Sequence, residues 1–349
     1  MKYNHTKGYY HLCDDLAAYP DYWCFVAWSA RGVGKTYGAL SFALAKNIIP
    51  VYIKRTKNDV NLICNENKIG FDASPYVPIN RDYNIEVKAK RLEDGIGAFY
   101  LKDDAIPVAY VIALSAAKSV KGFDLSNADW MLFDEFIPQA GEIVRHTEGE
   151  QIMDLYMTIR RDREKRGRDP LKMILFANAE NIATPVTDAL EIIDDMADMN
   201  IKGIEYQADH ERGILLHRIM SSGSEPEHGG IYAAMKNTAW GRKAFGGEFA
   251  NNDFSCVSQL SIKGCRPICS YIYKEKTYYI YRKEADSSYY VCTSRAAGVP
   301  VYDLGRETEQ IRFRYDIVID LMDACIEGRA HFQYYSMYDL FMNYNKRFS

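Results

Sequence analysis

The chain has 349 residues, of which 48% are hydrophobic and 26% are charged, and its formal net charge at pH 7 is −4. This composition excludes a disordered or fibrous protein, and the slight negative charge argues against a protein coated in basic surface. The length favours two domains. No apolar run is long enough to span a membrane, and the polar N-terminus lacks the apolar segment of a secretory signal. The eight cysteines form no CxxC pair, which favours reduced, mostly buried thiols over zinc ligands.

After a short N-terminal helix predicted within residues 1–21, residues 23–46 predict a buried strand, a tight loop and a helix. Gly32 and Gly34 allow loop backbone angles that a side chain disfavours. In a phosphate-binding loop of this kind, the helix N-terminus faces the anion, Lys35 reaches the β- and γ-phosphates, and the next residue, a threonine, is a ligand of Mg²⁺. The loop therefore predicts a site for a nucleoside triphosphate and Mg²⁺.

This loop departs from the usual GxxxxGK[ST] pattern, because Ser29 stands in the place of the first glycine. The alternative is a plain glycine turn between a strand and a helix. The apolar strand before the loop and the apolar helix after it favour phosphate binding. The residues assigned to the nucleotide are Ser29, Ala30, Arg31, Gly32, Val33, Gly34, Lys35, Thr36 and Tyr37, with Thr36 also assigned to the metal.

The next hundred residues predict mainly strands. A second strand is expected at residues 48–53, followed by a loop-rich stretch at 59–82. Three further strands are expected at 85–90, 98–102 and 108–114.

A second chemical motif is the apolar strand 130–133, which ends in Asp134 and Glu135. Acids at the carboxyl end of a buried strand lie where open α/β sheets bind their ligands. We expect Asp134 to hold Mg²⁺, mostly through water, and Glu135 to polarise the attacking water as a general base. The alternative is a strand that runs out into a solvated acidic turn. Strand 173–177 ends at Asn178, which either senses the γ-phosphate or caps the following turn.

Residues 150–165 predict a helix with a very basic C-terminal end. Either these charges are solvated and favoured by the helix dipole, or one arginine reaches the γ-phosphate of a neighbouring subunit. The candidates for this finger are Arg160, Arg161 and Arg163. Basic loop residues are candidates for binding DNA phosphates, with solvated surface charge as the alternative for each: Lys54, Arg55, Lys57, Lys121 and Arg145.

Helices over residues 184–199 close the first domain, and a β-rich pattern follows. Residues 221–230 (SSGSEPEHGG) are the clearest linker. Strands are predicted at residues 201–206, 213–220, 257–262, 268–274, 277–282 and 289–293, and helices at 231–245, 317–326 and 335–344. The C-terminal strands carry few acids, so we expect a docking module without two-metal nuclease activity. Its many tyrosines favour a packed core, with RNA binding as the alternative.

The motifs SARGVGKT, LFDEF, IRRDRE and LFANAE, in this order and spacing, resemble the DNA encapsidation ATPases of small short-tailed phages, the phi29 type. The resemblance continues weakly through WGRKAFGGEFANND. It implies an α/β P-loop NTPase of the additional-strand, catalytic-glutamate class, with a mostly parallel central sheet and helices on both faces. A small β-rich α+β C-terminal domain, similar to a degenerate RNase H fold, would follow. The implied boundaries are an ATPase domain at 1–205, a linker region at 206–252 and a docking domain at 253–349.

The resemblance also implies a function. Proteins of this family hydrolyse ATP with Mg²⁺, form a homo-pentameric ring at the prohead portal vertex in the host cytoplasm, and drive double-stranded DNA into the capsid. The family's C-terminal domain docks to the portal or to a structural packaging RNA, and no membrane is involved. By position, the trans-acting arginine falls best on Arg161. Lys118 matches a family lysine near the subunit interface, and Lys57 one near the nucleotide or the DNA path.

Four other functions bear on the same residues, two kept as alternatives and two disfavoured. Another P-loop ATPase that moves DNA, such as a helicase-like enzyme, is the main alternative. A non-enzymatic portal-docking or RNA-docking protein with an inactive nucleotide site is the second. A GTPase is disfavoured because no Asn-Lys-x-Asp motif occurs, and a nucleoside kinase because it does not need Glu135.

Overall fold

A nine-stranded sheet contains both predicted chemical motifs. The computed structural model describes residues 1–5, 8–65, 72–102, 104–139, 141–161, 163–220, 234–235, 237–238, 241, 249 and 252–348. The strands of this sheet are β1 (Cys24–Ser29), β2 (Pro50–Lys54), β3 (Val87–Glu93), β4 (Ile96–Leu101), β5 (Ala109–Ala113), β6 (Trp130–Asp134), β7 (Lys172–Asn178), β8 (Tyr206–Asp209) and β9 (Ile214–Arg218). Their order in space is β3-β4-β5-β2-β6-β7-β1-β9-β8.

The middle of this sheet is parallel. Neighbours from β5 through β2, β6, β7 and β1 to β9 all pair in parallel, whereas β3, β4 and β8 add antiparallel edges. Every residue of β1 and β9 is buried, so both faces of the sheet are covered, as continuous apolar strands require. Strand β7 lies between β1 and β6. The predicted mixed α/β fold with a large, mostly parallel sheet is therefore confirmed.

The helices of this region are α1 (Leu12–Ala18), α2 (Lys35–Ala45), α3 (Lys57–Ile63), α4 (Val77–Tyr83), α5 (Glu148–Arg160) and α6 (Pro185–Ala189), with 3₁₀ turns at Leu114–Gly122 and Glu164–Arg166. The prediction of a loop-rich stretch at 59–82 is wrong, because α3 and α4 lie there. Thr56 accepts from the backbone N–H of Asp59, whose carboxylate accepts in return, and this capping box starts α3. Pro78 lies in the first turn of α4, where its missing N–H costs no hydrogen bond.

The chain divides into two compact units, Met1–Leu190 with Lys202–Asn251, and Glu191–Ile201 with Asn252–Ser349. Strands β8 and β9 belong to the large sheet, which corrects the assignment of residues 206–218 to a linker. Helix α7 (Ile193–Lys202) continues to Lys202, so the strand predicted at 201–206 begins only at Tyr206. Residues 221–230 and most of 231–245 lie outside the described residues.

The second unit contains a five-stranded sheet in the order β13-β10-β11-β12-β14. Its elements are β10 (Cys265–Tyr273), β11 (Lys276–Lys283), β12 (Ser288–Cys292), β13 (Val301–Asp303), α8 (Glu307–Phe313), a π turn (Arg314–Val318), α9 (Ile319–Ile326), β14 (Ala330–Phe332), α10 (Tyr335–Met342) and α11 (Tyr344–Arg347). The strand predicted at 257–262 is wrong, because only Val257 forms an isolated bridge, with Phe332. Strands β13 and β14 have three residues each and are too short to show a pattern in the sequence.

Aromatic side chains fill the core of the second unit. Phe313 packs against Tyr271 and Phe341 with ring centroids 5.2 and 5.9 Å apart. The high tyrosine content of this part of the chain thus contributes to a packed core. All eight cysteines lie within the described residues and are free thiols. No helix in the described part of the chain is both long and apolar enough to cross a bilayer.

Candidate nucleotide site

The two chemical motifs meet at one edge of the large sheet. Parallel pairing places Ser29 of β1 beside Asn178 of β7, and Phe176 of β7 beside Asp134 of β6. The carboxyl ends of β1, β7 and β6 are therefore neighbours, which is the edge where open α/β sheets bind ligands. Glu135 follows Asp134 directly and extends the same edge.

The loop after β1 requires its two glycines. Gly32 and Gly34 have φ angles of +83° and +81°, a region that side chains disfavour. Gly34 is also the N-cap of α2, and a Cβ there would lie 3.0 Å from Cδ1 of Tyr9. The loop thus presents backbone N–H groups and the N-terminus of α2 to one small space, an arrangement suited to anions.

Ser29, which stands where the usual loop pattern has its first glycine, contacts Lys35. The Lys35 ammonium is buried and donates to the Ser29 hydroxyl, to the carbonyl of Ala30 at 3.5 Å and to Oδ1 of Asn178 at 3.5 Å. The Ser29 hydroxyl in turn donates to the Ala30 carbonyl at 2.6 Å. Burial lowers the pKa of Lys35 to about 8, and the negative charge of Asp134 opposes this shift. The Ser29 hydroxyl therefore holds the Lys35 ammonium within the loop.

Asp134 has a partner that the sequence analysis missed. The hydroxyl of Tyr52, on the neighbouring strand β2, donates to Oδ2 of Asp134 at 2.9 Å. Burial, together with the charge of Asp134, raises the pKa of Tyr52 well above its usual value. Tyr52 is the middle residue of the buried strand β2, and its hydroxyl, which needs a hydrogen-bond partner when buried, was the one signal of this contact in the sequence.

Glu135 has an unusual backbone and two side-chain partners. Its φ angle is +59°, which is uncommon for any residue but glycine, asparagine or aspartate. Nε2 of Gln139 donates to Oε1 of Glu135 at 3.1 Å, and Nζ of Lys54 lies 3.6 Å from Oε2. Arg31 of the loop donates to Oε1 of Gln139 at 3.0 Å. A chain of contacts thus connects the phosphate-binding loop to the Glu135 carboxylate, and the role of Gln139 was not predicted.

The structure corrects the expectation that Arg55 contacts DNA. Its side chain is 11% exposed, and its guanidinium contacts two carboxylates, those of Glu148 at 3.1 Å and Glu142 at 2.8 Å. The same guanidinium donates to the backbone carbonyls of Glu135 at 3.3 Å and Phe136 at 2.9 Å. With these acceptors inside the protein, it is not a solvated charge that can reach a DNA phosphate.

The structure also corrects the inclusion of Arg163 among the finger candidates. Its side chain is 1% exposed and donates to the carbonyls of Ser126, Ala128 and Asp169. It also contacts Oδ1 of Asp129 at 3.1 Å. A guanidinium bound in this way fastens the loop before β6 and is not free to enter a neighbouring subunit.

Three further predicted residues are Arg160 and Arg161, which remain candidates for the finger, and Lys118, which matches a family lysine near the subunit interface. Arg160 is the last residue of α5, and Arg161 is the exposed residue that follows it. Lys118 is exposed on the 3₁₀ turn. These three residues do not line the cavity at the strand ends, and their roles stay predictions.

The other basic candidates for DNA are dispersed. Lys57 contacts Oδ2 of Asp94 at 2.8 Å with its side chain 42% exposed, and Arg145 is exposed before α5. Lys54 faces Glu135 and is 20% exposed. Lys121 lies in the 3₁₀ turn, and its side chain is outside the described residues. Lys57 and Arg145 thus remain the candidates with accessible charge.

Two cavities adjoin at the N-terminus of α2. The first, of about 300 Å³, is lined by Arg31, Gly32, Val33, Gly34, Lys35, Thr36, Tyr37, Asp134, Glu135, Ala177 and Asn178. The second, of about 530 Å³, shares Gly34 and Tyr37 with the first and is otherwise lined mainly by aromatic and polar side chains, among them Tyr9, Tyr83 and Asp82. The loop, both acids and Asn178 therefore surround one space, as the sequence analysis expected.

The fold is similar to that of known phage proteins. The structure matches a chain of the bacteriophage Phi-29 viral genome packaging motor assembly with a TM-score of 0.66 and 14% identity, covering 98% of this chain and 100% of that one. It matches the Phi-28 gp11 DNA packaging motor with a TM-score of 0.59 and 16% identity, covering 98% and 97%. No protein-family model and no curated protein sequence matches the chain. The structural neighbours are thus DNA-packaging motor proteins, which confirms at the level of the fold the resemblance seen in the motifs.

Proposed function

We propose that this protein is an ATP-hydrolysing motor that translocates double-stranded viral DNA into a preformed capsid through the portal. The observation that carries the proposal is the single cavity lined by Lys35, Asp134, Glu135 and Asn178. The position of β7 between β1 and β6 supports the additional-strand, catalytic-glutamate class of P-loop NTPases, and the similarity in fold to packaging motors supports the biological role.

In this proposal the triphosphate binds at the loop and the nucleoside extends into the adjoining cavity of about 530 Å³. Gly34 and Tyr37 border both spaces, and a nucleotide bound at the loop would extend past these two residues. Tyr9 and Tyr83 offer aromatic faces to a base, and Asp82 offers a carboxylate to its amino group or to the ribose.

Thr36 and Asp134 present hard oxygen donors beside the loop, a donor set that fits Mg²⁺. Bound there, Mg²⁺ would supply positive charge to the β- and γ-phosphates. Glu135 takes the proton of the attacking water, Lys35 stabilises the charge on the phosphates, and Asn178 orients groups near the γ-phosphate. Arg161 of a neighbouring subunit completes the charge stabilisation in a homo-oligomeric ring, a pentamer by resemblance.

The contact with DNA in this proposal is electrostatic and independent of sequence, with Lys57 and Arg145 as the accessible candidates. The second unit docks to the portal or to a packaging RNA, and the ring acts at the prohead in the host cytoplasm. With residues 206–218 assigned to the first domain and residues 191–201 to the second, the two-domain organisation and the RNase H-like nature of the C-terminal region belong to the same proposal.

The test compares ATP turnover by wild type and Glu135→Gln, with and without duplex DNA. We expect turnover to fall by about 10²–10⁴-fold while ATP binding is retained, because a general base acts in the reaction and not in binding. Glu191→Gln is a matched control, since Glu191 also has a positive φ angle, +52°, and a lysine partner, Lys276 at 2.7 Å. It should behave as wild type.

Three outcomes separate the alternatives. Unchanged turnover in Glu135→Gln would support a non-enzymatic docking protein or a different hydrolase site. DNA-stimulated turnover that gains nothing from empty capsids would favour a helicase-like ATPase. Turnover that depends on capsids and DNA together supports the packaging motor.

A further inference from the structure

We propose that Arg55 is a positioning residue that fixes the backbone at Glu135 and thereby aims the catalytic carboxylate. The inference rests on the proposed ATPase function. It concerns the main chain of Glu135 and is separate from the contact of Lys54 with the Glu135 side chain.

The first step of the argument is the conformation of Glu135. Strand β6 ends one residue earlier, and at Glu135 the chain takes a φ angle of +59°. A left-handed conformation is unfavourable at a residue with a long side chain, and it persists only where its surroundings hold it. Contacts with other residues must therefore stabilise the backbone turn at Glu135.

Arg55 provides that stabilisation. One terminal nitrogen, Nη2, donates to the carbonyls of both Glu135 and Phe136, at 3.3 and 2.9 Å. Two successive carbonyls beyond a strand end have left the ladder and need other donors. On the other side of the turn, the N–H of Phe136 donates to the Phe176 carbonyl at 3.0 Å. The turn that carries Glu135 is thus held from both sides.

The guanidinium is itself held in place by other side chains. Its Nε donates to both carboxylate oxygens of Glu148, at 3.1 and 3.2 Å, and its Nη1 donates to Glu142 at 2.8 Å. The guanidinium carbon lies 5.5 Å from the centre of the Phe133 ring. Burial raises the pKa of Glu148, and the charge of Arg55 opposes that rise. The planar fork therefore uses all three of its nitrogens at fixed positions.

A lysine in place of Arg55 would keep the positive charge but lose the planar set of N–H donors that the guanidinium provides. One ammonium cannot reach two backbone carbonyls and two carboxylates in the geometry that a guanidinium spans. We infer that Arg55→Lys lets the turn relax and moves the Glu135 carboxylate relative to the bound triphosphate. A displacement of about 1 Å from a catalytic geometry can cost about 10²-fold in rate.

The experiment measures kcat, ATP affinity and thermal stability for Arg55→Lys without DNA. We expect kcat to fall by about 10²-fold with little change in ATP affinity, because Arg55 does not line the nucleotide cavity. Arg212→Lys is the matched control, since Arg212 also contacts a carboxylate, Asp209, and a backbone carbonyl, that of Leu190. Its kcat should equal that of wild type.

A graded pair of variants supports the same test if Arg55→Lys does not fold. Glu148→Gln removes the charge from the buried partner, and Glu142→Gln from a partner that is 42% exposed. The first should lower kcat more than the second, because exposed ion pairs contribute little.

Two results would overturn the inference. One is a wild-type kcat in both Arg55→Lys and Glu148→Gln. The other is unchanged DNA-independent turnover in Arg55→Lys together with a loss of DNA affinity, which would restore Arg55 as a DNA contact. If wild type itself does not hydrolyse ATP, the proposed function fails, and that result is distinct from either of these.

Discussion

Charged side chains are arranged differently at one site in each of the two units. At the edge of the nine-stranded sheet, Lys35, Asp134 and Glu135 line one open space. In the second unit, the buried carboxylate of Asp339 is already satisfied, by Nη2 of Arg347 at 2.5 Å and by the side-chain amide of Asn343 at 2.8 Å. Charges held around a space can act on a ligand, whereas charges that pair with each other stabilise the fold. This difference supports the proposal that the chemistry takes place in the first unit.

Positive φ angles also occur in different settings in the two units. Lys274 and Glu275 form the two-residue turn between β10 and β11, and both have positive φ angles, +49° and +61°. A tight hairpin turn demands such angles, and these two residues are exposed. Glu135 has the same left-handed backbone at the end of a parallel strand, where no hairpin explains it. Local strain without a local cause indicates a functional position.

The largest expected effect concerns Arg161, which does not line the nucleotide cavity of its own chain. We expect Arg161→Ala to lower ATP turnover of assembled rings by about 10³-fold or more, because an arginine finger stabilises transition-state charge in trans. Turnover is measured at concentrations where light scattering shows the oligomer. Mixing Arg161→Ala with Glu135→Gln should restore part of the turnover, since one interface can then contain both intact residues.

Arg163→Ala provides the comparison for Arg161. Arg163 is buried and bonded to the loop before β6, so its loss should lower thermal stability. Wild-type turnover in assembled Arg161→Ala rings would contradict the trans role of Arg161 and would leave Arg160 as the remaining finger candidate.

The second prediction concerns the aromatic core of the other unit. Phe313→Ala should destabilise that unit by about 3–5 kcal/mol, because a fully buried ring is replaced by a cavity. Hydrogen exchange in β10 and β11 measures the loss, and ATP affinity of the folded protein should not change. Tyr315→Ala is the control, since Tyr315 is 67% exposed and its removal should cost no more than about 0.5 kcal/mol. Equal destabilisation by both variants would contradict the assigned core.

The sequence allowed prediction of those parts of the site whose residues are close together along the chain. The phosphate-binding loop and the acidic strand end are continuous motifs, so local pattern was sufficient to place Lys35 and Asp134. Tyr52 could not be assigned, because its contact with Asp134 spans 82 positions. Arg55 was misassigned for the same reason: its partner Glu148 is 93 positions away. The sequence does not reveal which distant residue pairs with a charged side chain. Tertiary contacts therefore decide whether a basic residue is available to DNA or has a structural role.

The smallest expected effect is a pH dependence of nucleotide binding. Burial lowers the pKa of Lys35 to about 8, and we expect the triphosphate to bind the protonated ammonium. Below that pH the proton is already bound and ATP affinity should be flat. Above it, affinity should fall by up to about tenfold per pH unit, because binding must take up a proton. Lys35→Arg keeps its charge throughout and should show no such slope. Titration of a fluorescent ATP analogue between pH 7 and 10 measures both proteins, and an equally flat wild-type profile would contradict the lowered pKa of Lys35.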